Sequence, residues 1–208
     1  MDVVILGAGG HGKVVLDILR AQRQHHVVGF LDADPALAGS KVAGVEVLGA
    51  VNLLSRLKQQ RVRGAIVAIG DNRTRRRYAD EVLACGLELV SAIHPSAVVA
   101  SGATIDAGVV VAAGAVVGVD ATIARDAIIN TGALIDHECV IGPAAHICPG
   151  VALAGRVEVG AEAFIGIGSR VIQCVKIGAA ALVAAGAVVI RDIPDAARVA
   201  GVPARLMA

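Results

Sequence analysis

The chain has 208 residues and a formal net charge of +1. So weak a field offers little to nucleic acid or an anionic membrane surface, and no apolar run reaches the roughly 18 residues of a membrane helix. Hydrophobic residues make up 56% of the chain but aromatic residues only 1%, so small, similar side chains must fill the core, which points to a repetitive architecture.

The first element in chain order is a short buried strand, Val3 to Leu6. "GAGGHG" (Gly7 to Gly12) follows it, and Lys13 to Gln22 reads as a helix. No basic stretch precedes the apolar run, which argues against a signal peptide and for a cytoplasmic protein. Val27 to Leu31 is a second strand ending at Asp32, twenty residues past Gly12, where a ribose-binding acid sits in a dinucleotide fold. Ala65 to Gly70 is a further strand, and "DNRTRRR" a capped helix start. Together they predict a Rossmann-like α/β unit over residues 1–91 with a parallel sheet. Its size suits one nucleotide better than NAD. The glycines either cradle a phosphate with backbone amides or merely pack helix against strand. Arg73, Arg75, Arg76 and Arg77 read as a solvated helix face, with Asn72 and Arg75 as the candidates for nucleotide contact. Cys85, Cys139, Cys148 and Cys174 form no CxxC pair and read as reduced thiols.

From Ala92 the chain falls into seventeen successive hexads, such as "IINTGA", "LIDHEC" and "VIGPAA". The second position is aliphatic in every one, and the sixth is Ala, Val, Cys, Ser or Ile. A period of six fits neither an amphipathic helix nor an alternating strand. It matches a parallel β-helix in which three short faces close each coil. The repeat spans residues 92–193, and the tail 194–208, broken by Pro194 and Pro203, is expected to cap its open end.

Within "LIDHEC", Ile135 and Cys139 fill the two lining positions, which leaves His137 and Glu138 free to face outward. A neutral imidazole is a natural general base near pH 7, and an adjacent carboxylate can hold its tautomer and stabilise the imidazolium. Cys139 points inward by the period and is not expected to be a nucleophile.

The succession of "GAGGHG", "NTGALIDHECVIG", "HICPGVALAG", "VEVGAEAFIGIGS" and "VVIRDIPDAARVAGVPA" resembles the NeuD/PglD-type sugar acyltransferases over nearly the whole chain. The resemblance implies a left-handed β-helix, acetyl-CoA as cosubstrate and no metal. It implies a nucleotide-linked aminosugar on the first unit at Gly9, Gly10, His11, Asp32, Ala33 and Gly70; UDP is the expected carrier, with GDP or another nucleotide left open. It further implies a homotrimer with acetyl-CoA in a groove between two β-helices. His137 would take the amine proton and Glu138 would raise its basicity. His146 would lie near the thioester, with Ile167 and Ala185 along the pantetheine path.

Three other readings stand beside this one. Transfer could go to a sugar hydroxyl, as in sialic acid O-acetyltransferases. A zinc β-helix enzyme is disfavoured because His137 and His146, half a coil apart, fall on different faces. A non-catalytic scaffold leaves the His-Glu pair without a purpose.

Overall fold

The computed structural model describes residues 1–207. The chain divides into two compact units, Met1–Pro95 and the remainder from Ser96. Among the described residues no helix is long and apolar enough to cross a membrane.

The first unit runs β1 (Asp2–Leu6), α1 (Gly10–Gln22), β2 (His26–Leu31), β3 (Lys41–Val42), β4 (Val45–Gly49), α2 (Leu54–Gln59), β5 (Gly64–Val67), α3 (Asn72–Ala84) and β6 (Glu88–Leu89). The sheet order is β3-β4-β2-β1-β5-β6. Every pairing is parallel except β3 with β4. Val3–Leu6 of β1 and all of β5 are continuous buried apolar runs, as a sheet covered by helices requires. α1 buries Val15, Leu16, Ile18 and Leu19 on one stripe.

Two boundaries differ from the sequence reading. α1 begins at Gly10, three residues early, because extended Gly9 serves as its N-cap. β5 stops at Val67, which leaves Gly70 in the loop before α3. The β3–β4 hairpin was not assigned from the sequence, although Val45, Glu46 and Val47 alternate apolar and polar. Its turn is nonetheless explicit: Ala43 and Gly44 have φ of 47° and 83°, the two left-handed residues of a tight hairpin.

The second unit is a left-handed parallel β-helix. Its strands are two residues long, one per hexad, from Val98–Val99 to Val188–Val189. Each stacks on the strand one coil away: Val117 on Ile135, and Ile135 on Leu153. The aliphatic column fills the interior, and from Val111 to Val189 no member is more than 3% exposed. The sixth position also points inward. Ser169, its one hydroxyl, donates to the carbonyls of Gly166 and Ala184 at 2.8 and 2.9 Å.

The fifth position makes the corner. From Gly108 to Gly186 every fifth-position residue has φ between 53° and 76°. Glycine adopts this conformation freely, whereas other residues pay about 1 kcal/mol or more. Several hexads nevertheless place Asp, Glu, Arg, Ala or Cys there, and Glu138 is one of them.

The ladder runs past the boundary drawn at 193. Arg198 and Val199 pair in parallel with Leu182 and Val183. Val199 is buried and prolongs the interior column. Arg205–Leu206 then turns back antiparallel on Val199–Ala200. An antiparallel edge cannot propagate the coil, so this is where the solenoid ends. Ala208, the last residue of the expected cap, lies outside the described residues.

Ile129 sits wholly buried in the middle of the stack. Ile129→Ala is expected to cost about 2–5 kcal/mol, against at most about 0.5 kcal/mol for Thr122→Ala on the outer surface. Urea unfolding of the full chain measures both.

Candidate active site

At the carboxyl ends of β1, β2 and β5 the first unit encloses a cavity of about 370 Å³. Gly9, Gly10, His11, Asp32, Ala33 and Gly70 all line it, joined by Val51, Thr74 and Tyr78. The glycines divide by role. A side chain on Gly7, at φ 106°, would meet the Ala68 carbonyl, and one on Gly12 would collide with the Gly7 carbonyl. These two pack helix against strand. Gly9 and Gly10 face open space. No side chain caps α1, so its first-turn amides can serve a phosphate.

Asp32 braces this turn: Oδ2 accepts from the Ala8 amide at 2.7 Å and Oδ1 from the Asp34 amide at 2.9 Å. Burial first, and the Arg75 guanidinium second, push the His11 imidazole down to about 4. At pH 7 it therefore offers a ligand a hydrogen bond rather than a charge.

Arg75 departs from the expected solvated face. It is 1% exposed, and Nη1 donates to the carbonyls of Ile69 and Gly70 at 2.9 and 3.2 Å while Nη2 donates to Asn72 Oδ1 at 2.8 Å. Neither Arg75 nor Asn72 lines the cavity. They fix the Gly70 wall from behind. The outward row is Arg73 and Arg77, with Arg76 half-buried. Arg77 stacks on the Tyr78 ring, 4.7 Å from its centroid.

In the β-helix, Leu134–Ile135 leads into the corner that carries His137 and Glu138. Asp136 Oδ1 accepts from the His137 amide at 2.7 Å. The left-handed turn at Glu138 folds its carboxylate back, so that His137 Nδ1 lies 2.9 Å from Oε2. A carboxylate only accepts, so Nδ1 bears the proton and Nε2 the lone pair. The imidazole is about half exposed. Arg156, one coil on, donates from Nε to the same Oε2 at 2.9 Å. Arg156 foremost, then His137, holds the Glu138 carboxyl below its usual range. Cys139 is buried with Sγ against the Ala154 carbonyl, and burial pushes its thiol up, so it is a lining residue as expected.

His146 is not a corner residue. It lies in the strand His146–Ile147 and is buried edge-on against Phe164, with ring centroids 5.2 Å apart. Asn130 Oδ1 accepts from the Thr131 amide, so its Nδ2 donates to His146 Nε2 at 3.1 Å. That leaves the His146 proton on Nδ1. Ile167 and Ala185 are both exposed and stack one coil apart on the corner that follows this face. The His137 corner closes the next face, at the vertex opposite His146. One chain therefore separates the predicted proton acceptor from the predicted cofactor contacts.

Two neighbours of His137 escaped the sequence reading, Gly155 and Arg156. The signal was present: counting one full coil onward from His137–Glu138 lands on Gly155–Arg156. A Cβ on Gly155 would collide with His137 Nε2. Among the described residues no group of three or more His, Cys, Asp or Glu side chains is arranged to hold a metal ion.

Residues 2–82 match the PglD N-terminal domain family. GDP-perosamine N-acetyltransferase of Escherichia coli O157:H7 is 31% identical over 172 residues, 81% of this chain and 77% of that protein. UDP-N-acetylbacillosamine N-acetyltransferase of Bacillus subtilis strain 168 is 36% identical over 111 residues, 53% and 50% of the two chains. PerB from Caulobacter crescentus, solved with CoA and GDP-perosamine, superposes with a TM-score of 0.96 at 47% identity, covering 100% of this chain and 98% of that one. The acetyltransferase domain of PglB from Neisseria gonorrhoeae FA1090, solved with acetyl coenzyme A, gives 0.92 at 37% identity, covering 99% and 98%.

Gly155 has no left-handed φ, so its backbone tolerates alanine. Gly155→Ala should leave thermal unfolding nearly unchanged. It should turn the imidazole off Glu138, as a crystal structure of the variant beside a melting curve would show.

Proposed function

The chain belongs to the NeuD/PglD-type nucleotide-sugar N-acetyltransferases, and from that premise we propose that it acetylates a GDP-linked aminosugar with His137 as the general base. The observation that carries the reading is the His137–Glu138 pair, which holds the imidazole proton on Nδ1 and leaves the lone pair of the neutral ring on Nε2, over the bare Gly155. The sequence alone favoured UDP as the carrier. The relatives named for GDP-perosamine, one 47% identical over the whole chain, move the proposal to GDP.

The cavity of the first unit has the shape and chemistry for the nucleotide. The open amides of Gly9 and Gly10 at the start of α1 suit the phosphates. Thr74 and Tyr78 add polar and flat contacts, and Arg75 and Asn72 keep the Gly70 wall in place. The sugar amine attacks the thioester carbonyl of acetyl-CoA. A C–N bond forms, His137 Nε2 takes a proton from nitrogen, and the Glu138 carboxylate stabilises the resulting imidazolium. Collapse of the tetrahedral intermediate breaks the C–S bond. The CoA thiolate leaves, and the imidazolium can return the proton to it.

His146 lies on the face opposite His137, and Ile167 and Ala185 on another edge of the prism, so a complete site calls for a second copy of the chain. A homotrimer supplies three equivalent junctions, each lined by His137 from one copy and by His146, Ile167 and Ala185 from its neighbour.

The test is thiol release from acetyl-CoA with GDP-perosamine, a UDP-linked aminosugar and their hydroxyl analogues. The expected order places GDP-perosamine first and the hydroxyl analogues last. His137→Ala should lower kcat about 10²–10⁴-fold without unfolding the chain. Near-normal turnover by this variant would remove His137 from the role, and preference for the hydroxyl would move the acceptor to oxygen.

A further inference from the structure

The parallel ladder places Arg156 directly over Glu138, at the same corner position one coil on. This position is left-handed, with φ of 60° at Arg156 and 56° at Glu138. Glycine would fit it more easily, as it does at Gly132 and Gly150. The guanidinium is not idle there. Its Nε and the imidazole Nδ1 converge on one oxygen, Glu138 Oε2, each at 2.9 Å. We infer that Arg156 is a positioning residue that divides the Glu138 carboxylate with His137 and thereby sets the pH range over which His137 accepts a proton.

A carboxylate that serves the imidazole alone gives it the full benefit of the negative charge. A guanidinium on the same oxygen takes part of that benefit and adds a like charge beside the imidazolium. Arg156 thus keeps His137 unprotonated, and competent as a base, down to lower pH. It also pins Oε2, so the imidazole keeps its tautomer. The other ionisable groups at this corner are Asp136, whose Oδ1 accepts from the His137 amide, and Asp120 and Cys174, one coil below Glu138 and one above Arg156. All three are anionic or neutral, so Arg156 is the one cation among them. Glu138 foremost, then its own interaction with Cys174, pushes the Arg156 guanidinium up, so it stays charged throughout the working range.

This inference rests on His137 being the base, and the experiment separates the two. The pH profile of kcat/KM is measured for the wild type, Arg156→Asn and Arg156→Lys, with His137→Ala alongside. Asn accepts the left-handed backbone and removes the charge, while Lys retains it. The expected result is an acidic limb moved up by about half a pH unit in Arg156→Asn. In Arg156→Lys it should stay within about 0.2 of the wild type. The activity of Arg156→Asn should recover on the alkaline plateau. An unmoved acidic limb in Arg156→Asn overturns the inference, whether activity is normal or is lost only through a higher KM for acetyl-CoA. Should Arg156→Asn melt early, Arg156→Gly, which also suits the left-handed backbone, is measured in its place, and an unmoved acidic limb there overturns the inference equally. Full activity of His137→Ala instead removes the base and leaves Arg156 nothing to tune.

Discussion

The hydrogen-bonded ladder of the β-helix sets each residue of one coil over its counterpart in the next, and the chemistry depends on that registration. It puts Gly155 over His137 and Arg156 over Glu138. The missing side chain at Gly155 leaves room for the imidazole, and the guanidinium above Glu138 holds the carboxylate that holds the ring. A slip of one residue would replace this arrangement with Arg156 over His137. The aliphatic column forbids the slip, because it would turn every buried Ile and Val outward.

The two units solve different problems with different kinds of rigidity. In the β-helix, precision comes from repetition. In the first unit it comes from single contacts: Asp32 tied to the Ala8 amide, and Arg75 tied to the carbonyls of Ile69 and Gly70. Half-buried Asp32 and buried Arg75 spend their hydrogen-bonding capacity on the walls of the cavity. They leave the amides at the start of α1, the neutral His11 imidazole and the Tyr78 ring to meet a ligand.

The β-helix was legible because its signal repeats: two columns of buried residues recur seventeen times, and chance does not sustain that. His137 and Glu138 were legible as departures from that period. What the sequence hid were contacts between coils, since Gly155 and Arg156 lie 18 positions from the pair they support and look ordinary in their own hexad. Arg75 stood apart from the arginine row as a candidate nucleotide contact, but its inward partners had no sequence signal, because a row of arginines on a helix is usually solvated. Only the fold reveals that one of them turns inward to two carbonyls and Asn72. The packing of His146 was likewise hidden, because its contact with Phe164 runs to the first position of the hexad one coil on.

The account stands on an imidazole whose proton is fixed on the Glu138 side so that its other nitrogen can meet the acceptor. A crystal structure of the chain with CoA and GDP-perosamine tests it most directly. The expected result is His137 Nε2 about 3 Å from the sugar nitrogen, with Nδ1 still on Glu138. A sugar nitrogen beyond the reach of Nε2, even through one water, or an imidazole turned away from Glu138, would contradict it.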